Sequence, residues 1–155
     1  MIEKIYKENI KQFYYDEKYN FKGTYIGEFY HGVCIDFSLF LKRKYNELDI
    51  NTYLIATKTN ESNHAALIYL VDDEIYVADP ITDARIMTNK NMSFDERNDF
   101  INNNKLQINI NLQDYIKENG TITIFNNNMQ PIYRGNEISE IKEIIKQKPP
   151  HIGSK

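Results

Sequence analysis

Tryptophan is absent from this 155-residue chain, cysteine occurs once, and no long apolar run is present. The last absence leaves no candidate for a membrane-spanning helix, which needs about 20 predominantly apolar residues in succession. A lone cysteine makes no intramolecular disulfide, so nothing in the chain calls for an oxidising compartment and the thiol is free to react. An excess of either charge is also lacking. Nineteen Lys and Arg stand against 22 Asp and Glu, interspersed, for a formal net charge of −3. Without a basic field there is no attraction for phosphates, and nucleic acid is not expected as a partner. The opening MIEKIYKENIKQFYYDEKYN carries charge every few residues and has no apolar core of the kind a signal peptide or anchor requires. No membrane partner is expected, and location is left open between the cytoplasm and delivery as an effector. Repeats and domain-separating linkers are missing too, which gives one domain over 1–148 and a flexible tail, PPHIGSK, over 149–155.

With 41% hydrophobic and 26% charged residues, the composition is that of an ordinary folded domain, and tyrosine is used 12 times. A chain of this length buries roughly two thirds of the surface its unfolded form exposes. Residues 2 to 14 carry Ile2, Ile5, Tyr6, Ile10, Phe13 and Tyr14 at three-to-four spacing, the stripe of an amphipathic helix. In YNFKGTYIGEFYHG, Gly23, Gly27 and Gly32 interrupt an aromatic-rich stretch and predict a tightly bent loop. A helix follows over Val33 to Tyr45, with Lys42, Arg43 and Lys44 at the end where cations suit the helix dipole. INTYLIAT reads as a strand, and HAALIYLV and EIYVADP read as a hairpin around an acidic turn, closed by Pro80. ARIMTNKNMSFDERNDFINNN shows no clean period. LQININL alternates as a half-buried strand, TITIF is a short strand, NNNMQPIYRGN a loop, and EISEIKEIIKQK a closing amphipathic helix.

Chemistry concentrates between His31 and Ile81. Cys34 falls in the first turn of the predicted helix, just after Gly32, where free backbone amides and the positive end of the helix dipole favour a thiolate. A thiol that attacks an amide needs a base to hold its proton and a carboxylate to fix that base's tautomer. His64 opens the first hairpin strand and Asp79 closes the second. A turn centred between Val71 and Asp72 sets those two directly opposite one another, within reach of a hydrogen bond. The hairpin places no constraint on the distance from Cys34 to His64.

Gly32-Val33-Cys34-Ile35-Asp36-Phe37-Ser38, His64-Ala65 opening a strand and Asp79-Pro80 closing the next resemble the transglutaminase-like superfamily, a branch of the papain-like cysteine-nucleophile fold. The resemblance covers about a third of the chain, judged by motif spacing. It implies an α+β fold, a papain-like/transglutaminase-like core in which N-terminal helices pack on an antiparallel β-sheet. It also implies a catalytic triad: Cys34 as nucleophile, His64 as general base, Asp79 as orienting acid, working through a thioester. The backbone amide of Cys34 is one implied oxyanion donor, and Tyr30 or His31 are candidates for the second or for substrate contact. Members include crosslinkers, proteases, peptide-N-glycanases and deamidases. Two positions depart from the pattern. Ala66 stands where many members carry Trp, and Glu28 stands six residues before the cysteine, where papain-type proteases keep a glutamine donor. A carboxylate there repels an oxyanion, which argues against an ordinary papain-type protease.

The expected activity is therefore acyl transfer or hydrolysis on carboxamide or amide groups of a protein or peptide substrate, as a deamidase or transglutaminase-like enzyme, with a toxin-like effector as the analogy that small size favours. A cysteine protease of the same fold and a catalytically inactive binding module are the alternatives. No cofactor and no metal are expected, since closed zinc sites take four ligands with more than one thiolate or histidine. Asp36, two residues past Cys34, points away from it on a helix and reads as a structural helix-start charge.

Overall fold

The computed structural model describes residues 1–58 and 63–147. The proposed tail, and most of the TNESN connection, lie outside them. The chain is α+β. In order it forms α1 (Ile2–Ile10), β1 (Phe13–Tyr15), a 3-10 turn at Glu17–Tyr19, β2 (Thr24–Ile26), β3 (Phe29–Gly32) and α2 (Cys34–Glu47). Then follow β4 (Tyr53–Lys58), β5 (Asn63–Val71), β6 (Glu74–Ala78), α3 (Pro80–Asn89), α4 (Phe94–Asn103), β7 (Ile110–Asn111), α5 (Leu112–Asn119), β8 (Ile122–Phe125), β9 (Pro131–Gly135) and α6 (Ile138–Lys146).

Six strands form one wholly antiparallel sheet in the order β7-β6-β5-β4-β8-β9. The alternation of β4, β5 and β6 sends one set of side chains to each face, so the sheet has two cores. On one face Leu54, Ala65, Leu67, Tyr69 and Ala78 meet Ile5, Tyr6 and Ile10 of α1, Phe37 and Leu41 of α2, and Ala84 and Met87 of α3. On the other, Tyr53, Ile55, Ala66, Ile68, Ile75 and Val77 meet Leu112 and Tyr115 of α5 and Ile141 and Ile145 of α6. The near-continuous apolar run in HAALIYLV follows from this burial on both sides.

A second sheet of three strands, β1-β3-β2, leads into α2. β1 and β3 run parallel, Tyr14 facing His31, while β2 and β3 form an antiparallel pair. The stripe predicted as one helix over 2–14 is thus divided: α1 ends at Ile10, and Phe13 enters β1, where its ring stacks on Phe37 of α2 at 4.4 Å. Burial of both aromatic rings outweighs the weak propensity to extend α1. The predicted glycine loop contains β2 and β3. Its tight point is the two-residue turn between them, where Gly27 takes φ 62°.

One stretch left without an assignment gains structure, and two further expectations are corrected. The aperiodic stretch after Asp83 is helical, as α3 and α4. Pro80 ends the hairpin because it is the first residue of α3, and Ser93 and Glu96 cap α4 reciprocally. LQININL keeps only Ile110–Asn111 as strand. Leu106 and Ile108 are buried in a loop, and Asn111 caps α5 through the amides of Gln113 and Asp114. The loop predicted over NNNMQPIYRGN holds β9, an edge strand that begins with proline, where no ladder donor is lost. Among the described residues no helix is long and apolar enough to cross a membrane.

Candidate active site

Cys34 is the first residue of α2, and its position is fixed from below by Asp36. The buried Asp36 carboxylate accepts from the amide of Val33 at 2.9 Å, Phe21 at 3.2 Å and Gly23 at 3.0 Å. One side chain therefore caps the helix that carries the thiol and pins the loop beside it. Gly32 is required by the same carboxylate, because a Cβ there would stand 2.6 Å from the Asp36 Cβ.

His64 lies near the start of β5, and Asp79 follows β6 as the residue before α3. His64 Nε2 is 2.7 Å from Asp79 Oδ2, with the two side chains 23% and 11% exposed. The route to this contact differs from the predicted one. The acidic turn is Asp72-Asp73 as expected, both with positive φ (49° and 69°), but it pairs Val71 with Glu74 and Leu67 with Ala78 rather than His64 with Asp79. Continued one step, that register sets Asp79 opposite Ala66, with His64 two residues farther on and on the same face. The pair is diagonal, and the reach of the imidazole closes the gap. The Asp79 amide donates to the Gln107 carbonyl at 2.8 Å, which holds the carboxylate at the end of the sheet.

The Cys34 thiol lies close enough to the His64 ring to act on its protonation. With Nε2 on Asp79, Nδ1 is the ring nitrogen left free to serve a thiol, which is the order a triad needs. Burial disfavours the His64 cation, but the hydrogen bonds and charges of Asp79 and Cys34 outweigh it and push the imidazole up from 6.5 to about 10.

Tyr115 of α5 also belongs to the site, and sequence reading missed it. Its hydroxyl donates to Asp79 Oδ2 at 3.2 Å. Burial, then the neighbouring Asp79 charge, pushes this phenol well above its ordinary value. The signal was present in Asn111 as a helix cap followed by the Leu112/Tyr115 spacing, but the preceding alternation masked it. Behind Asp79 on α3, Asp83 accepts from Tyr6 at 2.6 Å and from the Gln107 amide at 2.9 Å. Burial raises both the Asp83 carboxyl and the Tyr6 phenol.

The two other sequence candidates occupy different surroundings. Tyr30 is buried in an aromatic cluster with Phe13, Tyr25, Phe37 and Phe40, its hydroxyl directly over Gly23. His31, next on β3 and therefore on its opposite face, is engaged by Asp16, Nδ1 to Oδ2 at 2.9 Å, and stacks on Tyr14 at 4.3 Å. That bond holds the Asp16 carboxyl below the usual carboxylate range. Glu28 is exposed, the second residue of the β2–β3 turn.

No protein-family model matches the chain, and no curated protein and no solved structure matches it. Among the described residues no group of three or more His, Cys, Asp or Glu is arranged to hold a metal ion.

Proposed function

We propose that the chain is a cysteine-dependent acyl-transfer enzyme of transglutaminase-like type, with a papain-like core, acting on amide or carboxamide groups of a protein or peptide. One observation carries the reading: His64 stands between the thiol at the start of α2 and a buried carboxylate 2.7 Å away.

In the first half-reaction the Cys34 sulfur attacks the carbonyl carbon, and the π pair moves to oxygen. The Cys34 backbone amide is an oxyanion donor, as one of the first-turn N–H groups without an intrahelical acceptor. Collapse of the intermediate breaks the C–N bond, and the departing nitrogen takes the proton held on His64. The thioester removes the negative charge from sulfur, so the imidazole binds its proton less tightly and can accept one from water or an amine. Attack by that nucleophile breaks the C–S bond and regenerates the pair. Hydrolysis of a glutamine carboxamide and transfer to an amine use the same three side chains.

Iodoacetamide alkylation tests the nucleophile. Cys34 of the folded protein is expected to react at about pH 6, where an ordinary thiol with a value near 8.5 is almost wholly protonated, and His64→Ala is expected to abolish that reaction. A thiol inert in the folded wild type, or equally reactive without His64, overturns the reading. Mass spectrometry of polypeptides incubated with wild type and with Cys34→Ala then names the reaction as deamidation, crosslinking or chain cleavage.

A further inference from the structure

Asp79 Oδ2 receives two donors, His64 Nε2 at 2.7 Å and the Tyr115 hydroxyl at 3.2 Å, while Oδ1 is buried with no hydrogen-bond partner among the described residues. We propose that Tyr115 is a positioning residue of the triad, whose O–H donation to the shared oxygen of Asp79 sets how tightly the His64–Asp79 pair holds its proton. The proposal rests on the reading of Cys34 as nucleophile and His64 as its base.

The Tyr115 ring is buried in the apolar cluster of α5, α6 and the sheet, so removal of its hydroxyl leaves the packing in place. Buried as it is, the phenol stays neutral and its O–H remains a donor. A carboxylate that already accepts a hydrogen bond from a neutral donor is a weaker base toward a second one. Donation by Tyr115 therefore subtracts from the pull of Asp79 on the imidazolium.

That subtraction matters because His64 has two opposite tasks. It must keep a proton while the thiolate waits, yet release it to the departing nitrogen and then stand neutral to activate water. A dyad that bound the proton still more tightly would serve the first task and fail the second.

The other titratable groups around the dyad are Cys34 from α2, Asp83 from α3 and Tyr6 from α1, and the hydrogen bond between Tyr6 and Asp83 does not involve Tyr115. On β4, Thr57 is the register partner of His64 and approaches the Tyr115 phenol. A Tyr115→Phe substitution leaves all of these side chains unchanged.

The experiment is an NMR titration of the histidine rings in Cys34→Ala, with and without Tyr115→Phe. Removing the thiol isolates the dyad, so the result does not depend on whether Cys34 is a nucleophile. The His64 midpoint is expected to rise by about half to one pH unit when the hydroxyl is removed, as one hydrogen bond to a charged acceptor implies. With Cys34 present, the alkaline break in the alkylation profile moves the same way. A His64 midpoint that stays or falls, with only a lower melting temperature, makes Tyr115 merely structural and overturns the proposal. Failure of the triad reading looks different: alkylation of Cys34 would be indifferent to His64→Ala whatever the titration gave.

Discussion

His64, half-buried, and Lys42, buried, are bases pushed in opposite directions. His64 gains two partners and rises from 6.5 to about 10, whereas Lys42, whose amine donates to the Thr52 carbonyl, is lowered by burial from 10.5 to about 8. The signs differ for stability. A folded value above the unfolded one means stabilisation fully present below pH 6.5 and lost as pH rises through about 10. A lysine with a depressed value disfavours folding while it must be charged, and that penalty fades as pH rises from about 8 to 10.5. The net profile of the wild type mixes the two terms. The difference in unfolding free energy between wild type and His64→Ala isolates the first, and it is expected to narrow steadily from pH 6.5 to 10 in urea titrations. A difference independent of pH would mean that His64 gains nothing from Asp79 and Cys34.

At the scale of elements, the start of α2 is where sequence and site meet. Gly32, Val33 and Asp36 were legible as a helix start, and the hairpin that carries His64 and Asp79 was legible from alternation and its acidic turn. The diagonal register was missed because setting His64 directly opposite Asp79 centres the turn on Val71 and Asp72, where a β-branched residue would take positive φ, whereas Asp72 and Asp73 both tolerate it. Because the alternative registers differ by two residues, the facing was preserved. Tyr115 and the Asp83–Tyr6 link were hidden for another reason: they join segments 36 and 77 residues apart in the chain, brought together only by packing. What Asp36 does was half legible. Its place as a cap was expected, but its hold on Phe21 and Gly23 exists only in the folded chain. Asp36→Ala leaves three amides without their acceptor and is expected to cost about 2–4 kcal/mol. Hydrogen exchange should quicken at Phe21 and Gly23, and Cys34 alkylation should slow. Gly32→Ala attacks the same contact sterically and is expected to behave alike, whereas unchanged exchange at Phe21 would show that the loop does not depend on Asp36.

For the whole molecule, the central question is whether two cores behave as one. The helices α1 to α3 cover one face of the large sheet, and α5 and α6 cover the other. The proposed triad draws on both sides, taking Cys34 from a helix of the first cluster and support for Asp79 from Tyr115 of the second. β5 lies at the middle of this arrangement, with Leu67 facing one cluster, Ile68 the other, and His64 at its beginning. Both side chains are fully buried, so each truncation to alanine removes transfer energy and leaves a cavity, at about 2–5 kcal/mol apiece. Because the backbone of β5 is shared, loss of either face withdraws support from the same strand and from the His64 it carries. Leu67→Ala and Ile68→Ala are thus expected to lower the midpoint of one common urea transition, seen identically by far-ultraviolet circular dichroism and by exposure of Cys34 to alkylation. Two separated transitions, with the thiol following only Leu67→Ala, would mean that the faces fold independently and that the second core supports the site through Tyr115 alone.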